Sequence, residues 1–128
     1  MSTPAAAPAI SKIGQIAIVV ENVDRAVTFY RDTLGLPFLF RAGNLAFFQC
    51  GETRLMIDGA AEAEFRHPGS ILYFLVPDIK AAYARMREQG TEFRDEPHMI
   101  ARMPDHELWM TFFKDGEGNT LALMSEVR

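Results

Sequence analysis

Between Gln15 and Pro37 the apolar residues change their period, and two successive elements can be read from the change. Ile16 to Val20 is a β-branched run that suits a strand. Asn22 or Asp24 can then cap the free amides of a helix with a side-chain oxygen. Val23, Ala26, Val27 and Tyr30 recur at helical spacing, Phe29 widens their face, Gly35 ends the helix, and Pro37 keeps it from resuming. After Pro37, Phe38-Leu39-Phe40 opens a second strand and Gly43-Asn44 marks a hairpin turn. Leu45–Cys50 and Arg54–Asp58 supply two more strands, split by Gly51-Glu52.

The chain then repeats itself. Setting Val20 on Val76 brings Val23 onto Ile79 and Ala26 onto Ala82, and one deletion brings Gly35 onto Gly90. Gly51 through Ile57 is echoed by Gly118 through Leu123. The second copy predicts a strand over Ile71–Val76, a helix over Ile79–Gln89, a strand from Phe93 onward, and strands over Glu107–Phe113 and Thr120–Ser125. The fold class is therefore α+β, built from two βαβββ modules: module one over 11–58, a linker over 59–69 and module two over 70–126, within one domain of 11–128. Two copies are too few for a repeat array. Glu96 to His106 holds Pro97 and Pro104, which push that stretch toward a sheet edge or a loop.

A hydrophobic content of 48% with 23% charged residues belongs to a globular chain able to bury a core. The net charge of −4, with no basic stripe, speaks against nucleic acid as a partner. Cys50 is the single cysteine, so the chain has no internal disulfide, and a reducing cytoplasm is the expected location. Residues 1–10 lack the basic start and apolar core of a secretory signal and read as a flexible N-terminal arm. No stretch approaches the ~20 apolar residues of a membrane-spanning helix, so no membrane partner is expected.

The text from Ile16 to Leu36, with Ala26-Val27-Thr28-Phe29-Tyr30 at its centre, resembles the opening of the vicinal oxygen chelate superfamily. This is the group of glyoxalases, bleomycin-resistance proteins and extradiol dioxygenases. Phe113 through Leu123 resembles its closing hairpin and strand, with Gly116 where proline is more usual. The resemblance implies two modules curled into a cup of mixed β-sheet with flanking helices. It places the divalent metal ligands of active relatives at Gln15, Met56, Ile71 and Ala122. Such an ion wants imidazole nitrogen or carboxylate oxygen. An amide, a thioether and two hydrocarbons offer neither, so no metal and no cofactor is expected there, and a divalent ion has a place only at a non-standard site.

Side chains on a strand alternate faces. Gln15, Ala17 and Val19 then share the cup side with Arg54, Met56 and Asp58, with Ile71, Tyr73 and Leu75, and with Thr120, Ala122 and Met124. That lining is mostly apolar with few polar groups, the character of a small-molecule pocket; the bland alternative is a packed face. Arg54 can pair with Asp58, receive an anionic ligand group or stay in solvent. A second constellation holds His98, His106, Glu107 and Trp109. It reads as ordinary loop and core residues, as a ligand contact with acid–base capacity, or as a displaced metal site. His67 reads as a surface histidine, Cys50 as a buried small hydrophobe, Asp115 to Asn119 as a hairpin, and Glu62, Glu64 and Arg66 as a solvated face.

Three functions follow. The first is a metal-free cup, expected as a homodimer, binding a small and largely apolar molecule through Gln15, Arg54, Met56, Ile71, Tyr73, Trp109, Ala122 and Met124. The alternative is a lyase, isomerase or dioxygenase relative whose catalytic candidates are His98, His106 and Glu107. The third is a structural dimer subunit with a filled cup.

Overall fold

A computed structural model describes residues 8–9, 12–66 and 69–128. Nearly all of the predicted N-terminal arm, together with His67 and Pro68, lies outside the described residues.

Module one forms a four-stranded sheet in the order β1-β4-β3-β2, from β1 (Gln15–Val19), β2 (Phe38–Ala42), β3 (Leu45–Cys50) and β4 (Thr53–Asp58). Module two repeats it as β5-β8-β7-β6, from β5 (Leu72–Leu75), β6 (His98–Arg102), β7 (Glu107–Lys114) and β8 (Thr120–Val127). In each sheet the first strand runs parallel to the last, and the remaining pairs are antiparallel. The duplication predicted from the sequence is thus visible as two copies of one topology.

Helix α1 (Val23–Thr28) starts where expected, with Asn22 Oδ1 accepting from the Arg25 amide at 3.0 Å. It continues as a π-helical turn over Phe29–Thr33, closed by Leu34 N–H donating to the Phe29 carbonyl. A single π turn inside a helix shifts the side chains that follow it. Tyr30, within the turn, keeps the buried face of Val23, Ala26 and Val27 and has no exposed surface. Helix α2 (Ile79–Glu88) is capped by Asp78 and buries Ile79 and Met86.

One core joins the modules: Ile18, Val20, Phe48 and Ile57 from the first sheet, Phe113, Leu121 and Leu123 from the second, and both helices. Burying a phenylalanine contributes about 1.5–3 kcal/mol, and Phe48 and Phe113 are both covered. The aromatic contact between Phe29 and Phe113 crosses the module boundary. Gly59 closes module one where space is short: a Cβ there would sit 2.3 Å from Val23 Cγ2.

One predicted strand starts late. Phe93 makes only an isolated bridge to Phe113, and pairing begins at His98. Proline cannot donate to a ladder, so the strand forms past Pro97, at the free edge of its sheet.

Candidate functional site

The cup-facing alternation read from the sequence holds in module one. Ile18 and Val20 are buried in the core, while Ala17 is exposed on the opposite face. Register adds residues that alternation within single strands did not single out. Met56 lies opposite Ala17 on β1 and Phe47 on β3, and Phe40 lies opposite Phe47. Phe40 and Phe47 stack at 4.5 Å with their planes 23° apart.

A cavity of about 940 Å³ opens where the free edge of β1 meets the start of β5 and β8. Its apolar wall includes Ile13, Ala17, Val19, Met56 and Ile71. Asp58, Ser70, Asn119 and Thr120 supply the polar groups. Of the residues predicted to bind ligand, Met56 and Ile71 line it directly, and Gln15 touches Met56, Nε2 to Sδ at 3.7 Å. Tyr73, Ala122 and Met124 share the face farther along the sheet. Ala122 lies between Tyr73 and Phe112 in the register, and is fully covered where their rings meet edge to face at 5.9 Å.

Arg54 does not pair with Asp58. Its Nε donates to Gln15 Oε1 at 2.7 Å, and its guanidinium lies over the Phe47 ring, 5.5 Å from the centroid. Gln15 is directly across in the parallel register, whereas Asp58 is four residues away along the strand, roughly 13 Å at ~3.3 Å per residue. Asp58 instead accepts from the Ala60 amide.

These contacts decide the fit of the metal that the resemblance implies. The one oxygen among the four expected ligand positions, Gln15 Oε1, is already taken by a guanidinium, whose charge repels a cation. Met56 offers a thioether, Ile71 and Ala122 only hydrocarbon. The residues present do not fit a hard divalent ion.

The second constellation comes together only at Glu107 and Trp109, and none of its members lines the cavity. Trp109 faces the other way from the predicted cup side: it packs against the core, with Lys80 of α2 over its ring. Its Nε1–H donates to Glu107 Oε1, and Glu107 pairs with Arg102. His98 sits on β6 opposite Met110, its Nδ1 2.8 Å from the Glu96 carbonyl. His106 is held by Asp105 at 2.7 Å. Four residues separate it from Met110, so the two histidines are set roughly 13 Å apart along the sheet. Among the described residues no three His, Cys, Asp or Glu side chains are grouped closely enough to hold a metal.

Beside the cavity, the turn between β7 and β8 locks the modules together. Asp115, 2% exposed, accepts from Tyr30 Oη–H, the Glu117 and Asn119 amides and Asn119 Nδ2. Gly116 has φ +82°, which proline cannot adopt, so the glycine found where relatives favour proline suits this turn. Burial, the charge of Asp115 and their hydrogen bond push the Tyr30 phenol up, which keeps it a donor. Asn119 Nδ2 also donates to the Val19 carbonyl at the end of β1.

The Glu117 side chain is covered and accepts from the Glu21 and Asn22 amides and from Arg25. Burial alone would raise its carboxyl; the Asn22 amide, the Arg25 guanidinium and the Glu21 amide outweigh it and hold the group below the ordinary 4.5. A carboxylate depressed in the folded state stabilises above its unfolded value, and that contribution is lost as pH falls through the folded one. The urea midpoint should therefore fall below about pH 4.5 more steeply in wild type than in Glu117→Gln; equal pH profiles would remove Glu117 from this role.

The profile of the Glyoxalase/Bleomycin resistance protein/Dioxygenase superfamily matches residues 12–123. A Bacillus subtilis (strain 168) protein, Uncharacterized protein YetH, is 32% identical over 125 residues, covering 89% of this chain and 98% of its own. A superfamily member from Sphaerobacter thermophilus DSM 20745 superposes with a TM-score of 0.74 at 26% identity, over 91% of this chain and 98% of that one. Lactoylglutathione lyase from Agrobacterium tumefaciens gives 0.69 at 23% identity, over 91% and 94%, a likeness of fold. With its two βαβββ modules and this match across nearly its whole length, the chain belongs to the glyoxalase/bleomycin resistance protein/dioxygenase superfamily.

Proposed function

We propose that the protein binds one small, largely apolar molecule in the cavity between β1 and β5–β8, without a metal. The observation that carries this reading is the cavity itself. Its volume of about 940 Å³ and its apolar wall with few polar groups match the usual small-molecule site of about 300–1,000 Å³. Met56 in its wall adds an adaptable surface that accepts varied ligand shapes. His98 lies roughly 13 Å along the sheet from His106, and none of His98, His106 and Glu107 lines the cavity, which favours binding over the acid–base alternative. A homodimer belongs to the same proposal: Phe40, Tyr73 and Leu75 stay 48%, 44% and 64% exposed beyond the cavity, and a second copy is what covers them.

N-phenyl-1-naphthylamine, an uncharged fluorescent probe, tests the reading. One equivalent per chain should bind with enhanced emission, unchanged by excess chelator. No saturable binding, or binding abolished by the chelator, contradicts it.

A further inference from the structure

A cation stands next to the cavity, just outside its lining. Arg54 precedes Met56 by two positions on the same face of β4, and Gln15, which receives the Arg54 Nε–H, also touches the Met56 sulfur on the cavity wall. The guanidinium is thus tied to the cavity wall through one side chain. That bond uses one donor edge. The two terminal nitrogens of Arg54 have no partner among the described residues, and the side chain is exposed on the concave face. Below it the ring of Phe47, stacked on Phe40, provides a flat apolar floor. At the opposite end of β4, Asp58 lines the cavity and disfavours an anion there.

We infer that the occupant of this cavity is a planar apolar molecule bearing one anionic oxygen group, which Arg54 receives while the body lies toward Met56 and Ile71. The physical reason is the fork geometry of guanidinium: with one edge held, the other still offers paired donors to a carboxylate, sulfonate or phosphate. The net charge of −4 makes the general field unfavourable for anions, so a preference for one must come from a local cation. This inference rests on the cavity reading above and refines it.

Two fluorescent probes with the same aromatic body separate the two claims: 8-anilinonaphthalene-1-sulfonate and its uncharged counterpart N-phenyl-1-naphthylamine. Wild type should bind the sulfonate about tenfold more tightly, and the difference should shrink as salt is raised from about 0.02 M to about 0.5 M. Arg54→Gln should erase that difference and leave the uncharged probe unchanged, with the melting temperature checked alongside. Lys114→Met is the rival variant, because Lys114 Nζ donates to Thr120 Oγ1 on the cavity wall; it should leave the preference intact. Equal binding of the two probes by wild type overturns the inference and leaves the cavity reading standing. A preference lost in Lys114→Met and kept in Arg54→Gln overturns it in the same way. Failure of both probes to bind overturns both claims.

Discussion

Asp115→Ala is expected to destabilise the protein by about 4 kcal/mol, the cost of breaking a buried hydrogen-bond network. The carboxylate is 2% exposed and takes four donors, two of them backbone amides of its own turn and one the Tyr30 hydroxyl, which is buried in the other module. Alanine strands the Tyr30 hydroxyl and the two amides, leaves Asn119 Nδ2 only its bond to the Val19 carbonyl, and removes what keeps the turn against α1. Tyr30→Phe removes one donor and leaves three in place, so it should cost about 1 kcal/mol. In the Tyr30→Phe background Asp115→Ala should cost about 1–2 kcal/mol less, because no hydroxyl is then stranded. Urea unfolding of the four proteins measures this. An Asp115→Ala cost under about 1 kcal/mol would mean that water replaces the carboxylate freely.

Ala17→Trp is expected to lower the affinity for N-phenyl-1-naphthylamine by more than tenfold, at least about 1.4 kcal/mol of binding. Ala17 lines the cavity opposite Met56 and is exposed, so an indole there points into the space a ligand would use and meets no core residue. Stability should be nearly unchanged, since substitutions away from the core usually stay within about 0.5 kcal/mol. Fluorescence titration with a parallel thermal melt separates blocking from unfolding. Unaltered binding in a folded Ala17→Trp protein would place the probe elsewhere.

Much of the architecture is legible in the chain because the sheet faces are set by alternation and the modules by repetition. Val20 on Val76 and Val23 on Ile79 align two copies whose strands pair identically, and of the two expected caps, Asn22 and Asp24, it is Asn22 that caps the first helix. What alternation leaves open is which face a given set joins. Glu107, Trp109 and Thr111 share a side, but it is the helix side; the signal was Phe113, two residues on, opposite the core residue Leu121. Pairing across strands was also beyond reach. Arg54 and Asp58 looked like partners within one strand, yet the nearer group is Gln15 on the neighbouring strand.

The inter-module lock was invisible for a related reason. Asp115 to Asn119 reads as a simple hairpin, whereas Glu117 meets Asn22 across 95 positions. No local pattern announces a contact at that separation. The same holds for the π turn over Phe29–Thr33, which no periodicity reveals, and for the bond from Tyr30 to Asp115. The cavity shares this origin: its walls come from 13–19, 56–58, 69–72 and 118–121, brought together only when the modules dock.

The residues at the positions where the resemblance places a divalent ion do not fit one, because a guanidinium occupies the one available oxygen. Calorimetric titration of protein purified without chelator with zinc and manganese tests it directly. No stoichiometric binding that depends on Gln15 or Met56 is expected. One equivalent of ion bound per chain, and lost in Gln15→Ala, would contradict it.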